Sequence, residues 1–205
     1  MHLTLDQGKQ VVAIARTTLD SFVKTGRYKK GGQVAPYLAE KRGVFVTLNT
    51  VGQGEAALRG CIGFPYPIKP LGEAVQEAAV FAASDDPRFV PVSAEELGGI
   101  VVEVSVLTPP VEVKMKNRKD LPGKVKVGED GLMVSNEFTS GLLLPQVAPE
   151  QGWDAEQFLN QACLKAGLSM DSWLMPSTKI QTFQADIFTE KSPNGDVAKV
   201  AFPVS

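Results

Sequence analysis

The chain has 205 residues, of which 43% are hydrophobic and 21% charged, the balance of an ordinary soluble globular protein. Its net charge of -2 and pI near 5.5 argue against a domain devoted to the nucleic-acid backbone. The longest apolar runs are too short to cross a bilayer, so neither nucleic acid nor membrane is an expected partner. The N-terminus lacks a cationic region followed by an apolar stretch, and Cys61 and Cys163 form no spaced framework; together these features predict a cytoplasmic protein.

The chain contains a single histidine, His2, beside the initiator methionine, where chains usually fray. Catalytic triads and most zinc sites need an internal histidine. Binding of magnesium or calcium by carboxylates alone remains open, but no EF-hand spacing is present, so the sequence assigns no metal site and identifies no cofactor. Any catalysis would depend on Arg, Lys, Asp, Glu, Cys or Tyr side chains.

The first part of the chain shows two helices and a pair of strands. An apolar stripe and a capping box formed by Thr4 and Gln7 predict a helix over residues 5–24. A basic, glycine-containing loop follows at residues 28–33; a solvated connection is favoured there over phosphate binding, because no helix starts on its glycines. Strands over 43–50 and 56–63, joined by a turn at 51–54, predict a hairpin, and a helix rich in small residues follows over 71–83.

The later part is mostly strands, with one further helix. A strong strand is predicted over 100–107, and Asp130-Gly131 predicts a hairpin between strands 124–127 and 132–135. Asp154 is a candidate N-cap for a helix over 154–166. Strands over 180–188 and 197–202 flank a second turn signal. We therefore expect an α+β fold, a largely antiparallel mixed sheet flanked by helices, with no linker.

The hexapeptide Leu58–Gly63 is the most informative stretch of the chain. Alternation along a strand places Arg59 and Cys61 on one face, and Gly60 between them allows a backbone or a ligand to approach closely. An arginine in an apolar segment is costly unless a carboxylate, a carbonyl or an anionic ligand meets it. We expect an anion-accepting pocket here. The alternative is a core cysteine beside an arginine in a structural ion pair, with Glu103 or Asp86 as its partner.

Other charged residues are assigned to the same site. Asp86 and Arg88 lie in a Pro-containing segment between apolar elements and are assigned to ligand binding. The alternative is that Asp85 and Asp86 simply form a turn. Glu103 is embedded in the strand over 100–107 and is a candidate for proton transfer. Cys61 is the candidate nucleophile or close contact.

A second polar group follows the apolar run 142–144. Gln146, Glu150 and Trp153 supply an amide, a carboxylate and an indole that could line a pocket for a planar polar ligand. A turn with Trp153 covering the core is the alternative.

Eight segments together resemble one family, the AMMECR-type domain, named from a candidate gene for Alport syndrome with midface hypoplasia and elliptocytosis. The resemblance spans residues 5–190 in order, and we treat 1–205 as a single domain of this type. Its most specific part is Leu58–Gly63. The matching segments are Gly43–Leu48, Leu58–Gly63, Asp86–Phe89, Glu103–Pro109, Gly141–Val147, Gly152–Asp154, Phe158–Leu159 and Cys163–Leu168.

The resemblance implies an α+β protein with a major and a minor lobe. It also implies neighbours, because prokaryotic members accompany or are fused to Memo-like and radical-SAM proteins. Two hypotheses follow. The chain is a module that binds a small anionic molecule or a partner protein for a neighbouring enzyme, or it is itself an enzyme acting on an anionic or nucleotide-like substrate. The binding module is favoured, since it needs only an arginine that matches an anion and a shaped surface.

Overall fold

A computed structural model describes residues 2–32, 35–51 and 56–200 of the chain. Within these ranges the chain forms five α-helices and nine strands, together with short 3₁₀ turns. The helices are α1 Leu5–Thr25, α2 Pro36–Ala39, α3 Leu71–Ser84, α4 Val147–Gln151 and α5 Ala155–Lys165. The strands are β1 Val44–Thr50, β2 Ala57–Phe64, β3 Ile100–Leu107, β4 Val111–Glu112, β5 Gly131–Ser135, β6 Ser140–Leu143, β7 Lys179–Phe183, β8 Ala185–Glu190 and β9 Val197–Val200.

The chain divides into two compact units, as expected of an α+β fold with two lobes. The first unit consists of residues 2–107 and 186–200, and the second of residues 108–185. The first contains a sheet of strand order β2-β1-β3-β8-β9, and the second contains a sheet of order β4-β7-β5-β6. Paired strands run antiparallel in both sheets.

In the first unit, α1 and α3 cover one face of the sheet. The buried side chains of β1 alternate, with Val44, Val46 and Leu48 directed into the core. The predicted capping box starts α1, and Gly26 ends it in the left-handed conformation. The small residues of α3 allow close packing on the sheet, as expected for that helix. A Cβ on Gly60 of β2 would lie 2.1 Å from the carbonyl oxygen of Ala82.

In the second unit, α5 packs on a separate core that includes Phe158, Leu159 and the buried Cys163. The Asp154 side chain accepts the backbone N–H of Gln157, so the predicted N-cap is present. Gly167 adopts the left-handed conformation just beyond the helix.

Two sequence predictions differ from the structure in the second half. The hairpin expected at Asp130-Gly131 is instead formed by β5 and β6, across the turn at 136–139. Residues 125–130 form a closed turn, because the Asp130 carboxylate accepts the backbone N–H of Lys126. The strand expected over 180–188 is broken at Gln184, and its two parts, β7 and β8, belong to different sheets.

Three predicted features lie partly outside the described residues. They are the last residue of the basic loop at 28–33, the turn at 51–54, of which Val51 alone is described, and the end of the last predicted strand beyond residue 200. His2 differs from the fraying expected of it: its Nδ1 lies 3.1 Å from Oδ1 of the buried Asp186. Throughout residues 2–32, 35–51 and 56–200, no helix is both long enough and apolar enough to cross a bilayer.

Candidate functional site

The candidate site is built on three neighbouring strands of the first unit. Thr47 of β1 pairs with Cys61 of β2 on one side and with Glu103 of β3 on the other. Partners across an antiparallel ladder share a face, so these three side chains form a row on the face opposite Val46. All three residues are half-buried. The row puts a thiol, a hydroxyl and a carboxylate side by side.

Cys61 is the centre of this row. The Thr47 hydroxyl donates to its sulfur over 3.2 Å, and its backbone N–H donates to Oδ2 of Asp86 over 2.8 Å. Burial is the largest influence on the thiol and raises its pKa; the Thr47 hydrogen bond and Arg88 act in the opposite direction, while Asp86 and Glu103 add to the increase. The net effect is a protonated thiol at neutral pH.

Asp86 and Arg88 form the charged part of the site. Arg88 donates to the Asp86 carboxylate through Nε (2.9 Å) and Nη2 (2.7 Å). The Asp86 side chain is 2% exposed and that of Arg88 is 53% exposed. These hydrogen bonds, above all those from Arg88, hold the pKa of Asp86 well below its usual range despite burial. Asp86 is therefore a fixed anion and is unsuited to proton transfer near neutral pH.

Arg59 has a different environment from the one its sequence position suggested. A β-bulge lies between Leu48 and Asn49, because Gly60 pairs with Leu48 whereas Leu58 pairs with Asn49. Arg59 is the extra residue, and the alternation that would place it beside Cys61 is interrupted there.

The Arg59 guanidinium is held by protein groups. It donates to Glu96 through Nε (2.7 Å) and Nη2 (3.1 Å), and Nη1 donates to the carbonyl oxygen of Val90 over 2.9 Å. Its side chain is 12% exposed. The expected acidic partners were Glu103 or Asp86, but the ion pair is with Glu96. The cation that acts on the Cys61 thiol is Arg88.

At Gly60 the group that approaches closely is a backbone segment of the protein. The close approach predicted from the sequence is made by the carbonyl oxygen of Ala82 in α3. This contact fixes β2 against α3 and so positions Cys61, the next residue.

The predicted second group, Gln146, Glu150 and Trp153, belongs to the second unit and surrounds α4. Gln146 precedes the helix, Glu150 is exposed within it, and Trp153 packs partly buried against the core of that unit. The buried Oε1 of Gln146 accepts no hydrogen bond from the described residues. The structure thus shows a short helix at this point, with Trp153 covering the core as in the second of the two interpretations.

Three residues of the first site were missed by the sequence analysis: Thr47, Glu96 and Phe89. Glu96 also closes a capping box with Ser93, a pattern visible in the sequence. Phe89 lies beneath both guanidinium groups, with its ring centroid 5.4 Å from Cζ of Arg88 and 5.9 Å from Cζ of Arg59. Thr47 could have been found by aligning the two strands of the predicted hairpin. Among the described residues, no group of three or more His, Cys, Asp or Glu side chains is arranged to hold a metal ion.

Comparison with known proteins agrees with this architecture. The crystal structure of a protein from Pyrococcus horikoshii matches this chain with a TM-score of 0.86 and 48% identity over 96% of this chain and 98% of that one. The AMMECR1 family model matches residues 12–188, and the chain belongs to the AMMECR1 family.

Two archaeal relatives show how far the similarity extends. A protein of Pyrococcus furiosus is 52% identical over 194 residues, 94% of this chain and 92% of the relative. A protein of Methanocaldococcus jannaschii is 48% identical over 195 residues, 95% of this chain and 96% of the relative. The resemblance stated from the Leu58–Gly63 hexapeptide and the accompanying segments is confirmed.

Proposed function

We propose that this AMMECR1-family protein is a binding module that receives a small anion, or an acidic group of a partner protein, beside Cys61. The observation on which the proposal rests is the state of Arg88. Its guanidinium is half exposed, yet its orientation is fixed by the buried Asp86 carboxylate. A guanidinium carries five N–H donors, and the two on Nη1 donate to none of the described residues.

An arginine held along one edge presents its other edge to carboxylate or phosphate oxygens with little loss of conformational entropy. The Phe89 ring beneath the guanidinium limits its motion further. Arg59 stabilises the same segment of chain through Val90 and Glu96. In this proposal Arg88 binds the anion, Cys61 and Thr47 contact it, and Arg59, Gly60 and Asp86 position the site.

The neighbouring enzymes that the family resemblance implies, Memo-like and radical-SAM proteins, are the proposed partners. A cytoplasmic location is part of the same proposal and is consistent with the two free cysteines, Cys61 and Cys163. Gln146, Glu150 and Trp153 are retained as a proposed ligand-contacting group of the second unit, because the buried Gln146 oxygen accepts no hydrogen bond within the described part of the chain.

Thermal shift with citrate, inorganic phosphate and AMP tests the small-anion form, since a ligand that binds the native state raises the melting temperature. Co-elution with a Memo-like protein of the same organism tests the partner form. Arg88→Met should lower whichever signal the native protein gives, and the exposed Arg27→Met is the matched control. Equal signals from both variants, or no signal in either assay, would contradict the proposal.

A second candidate function, an enzyme with Cys61 as nucleophile and Glu103 as proton carrier, is supported by the hydrogen bond from Thr47 to the sulfur. It is the weaker candidate because burial raises the pKa of the thiol, which reduces the thiolate needed for attack.

A further inference from the structure

The basic loop after α1 borders an open cavity that shares no described lining residue with the Cys61 site. The cavity has a volume of about 440 Å³ and lies between the later half of α1, the loop and the Gln76 side chain of α3. Small-molecule sites commonly occupy roughly 300–1,000 Å³. The polar lining residues used below are Thr17, Thr18, Tyr28, Lys29, Gly32 and Gln76.

The described part of the loop has a fixed shape because a buried amide holds it. Gln76 is 6% exposed; its Nε2 donates to the carbonyl oxygen of Lys29 over 2.9 Å, and its Oε1 accepts the N–H of Gly31 over 2.9 Å. Gly31 and Gly32 have φ values of 70° and 90°, a conformation that side chains rarely allow. The wall of the cavity is therefore formed before any ligand arrives, which lowers the entropic cost of binding.

The side chains that line the cavity carry several hydrogen-bond donors that the described residues do not engage. The hydroxyl groups of Thr17, Thr18 and Tyr28 make no hydrogen bond with the described residues, and the Lys29 ammonium forms no ion pair with them. Among the described residues, none that lines this cavity is acidic. Ala13 and Ile14 supply an apolar patch between the polar groups.

We propose that this cavity is a second binding site, for a small hydroxylated oxyanion such as a sugar phosphate or a sugar acid. Lys29 neutralises the charge, and the hydroxyls of Thr17, Thr18 and Tyr28 exchange hydrogen bonds with those of the ligand. The carbon skeleton of the ligand packs on Ala13 and Ile14.

The experiment is calorimetric titration of the full chain with ribose 5-phosphate and with gluconate, using neutral ribose as the reference. At least one of the two anions should bind and ribose should not; the tighter anion identifies phosphate or carboxylate as the preferred group. Lys29→Gln should weaken binding by about tenfold, the usual cost of losing a charge-assisted hydrogen bond. Lys30→Gln is the matched control, since Lys30 is the next lysine in the chain and does not line this cavity.

Both lysines are exposed, so both variants should fold. The melting temperature of each variant without ligand verifies that it is folded. Thr18→Val, which keeps the shape of the buried side chain, should also weaken binding. The proposal fails if ribose binds as well as the anions, if Lys29→Gln and Lys30→Gln behave alike, or if neither anion binds at about 10 mM, a concentration at which contacts of this kind are detectable.

Discussion

Nε and Nη2 of Arg88 donate to the two carboxylate oxygens of Asp86, and the oxygen that accepts from Nη2, Oδ2, also accepts the backbone N–H of Cys61. One buried carboxylate thus connects the edge of β2 to the exposed guanidinium. The thiol and the cation are thereby kept close to each other, although they lie 27 positions apart in the sequence.

Replacing Asp86 with Asn should lower the free energy of unfolding by about 2 kcal/mol at pH 7, because it removes the charged partner of Arg88 and weakens the hold on Cys61. The pKa of Asp86 is lowered in the folded state, so its stabilisation is full above the unfolded pKa and is lost as the pH falls below about 4. Urea unfolding at pH 7, 5, 4 and 3 measures this, and the difference between native and variant proteins should shrink at the acid end.

The exposed neighbour Asp85 is the matched control for this experiment. Asp85→Asn should leave the free energy of unfolding within about 0.5 kcal/mol of the native value, as for most surface substitutions. A difference between Asp86→Asn and the native protein that stays constant down to pH 3 would contradict the ion-pair account.

Arg59→Met should destabilise the protein by about 2 kcal/mol, since Glu96 and the Val90 carbonyl lose their donors while the side-chain volume is largely kept. The sequence analysis instead expected Arg59 in an anion-accepting pocket, with a structural ion pair as the alternative. Denaturant unfolding measures the change, with the exposed Arg27→Met as reference. An Arg59→Met protein as stable as the reference would restore Arg59 as a ligand-binding candidate.

Gly60→Ala should be among the most harmful single methyl additions in the first unit. The new Cβ would lie 2.1 Å from the carbonyl oxygen of Ala82, and a backbone atom cannot move aside as a side chain would. We expect a loss of about 2–3 kcal/mol, as in other overpacked cores. Gly98→Ala is the control, because a Cβ there meets nothing within 4 Å. Equal melting temperatures for the two variants would show that β2 and α3 can separate easily.

Cys61 should react with iodoacetamide before Cys163, which is fully buried, and the rate should rise with pH above neutrality because the thiol pKa is raised. Glu103→Gln should accelerate labelling about threefold, the effect of a charge interaction of about 0.6 kcal/mol. Thr47→Val should slow it, since it removes a hydrogen bond that lowers the pKa. Mass spectrometry of the intact chain measures the labelling rates of the native protein and of both variants. Labelling that does not change between pH 7 and 9 would contradict the raised pKa.

The sequence predicted the elements whose local signals are strong. The capping box of α1, the N-cap of α5, the strand over 100–107 and the close approach at Gly60 are all confirmed, because each depends on a pattern within a few residues. The row formed by Cys61, Thr47 and Glu103 needs the order and register of three strands, which no short pattern contains.

The surroundings of Arg59 were mispredicted for a related reason. A bulge shifts the register by one residue, and a sequence read with strict alternation does not reveal it. The Asp-Gly pair at residues 130–131 was likewise taken for a hairpin turn. Its carboxylate instead closes a local turn on Lys126, and the strand begins only at Gly131.

The position of the second unit within the chain affects how the first unit folds during synthesis on the ribosome. The sheet of the first unit places β3 beside β8, and residues 108–185 are translated between them. Phe188 of β8 also lies against Gly8 of α1, at the opposite end of the sequence. The sheet of the first unit therefore cannot be completed until β8 and β9 have been translated, by which time the whole of the second unit has already been synthesised.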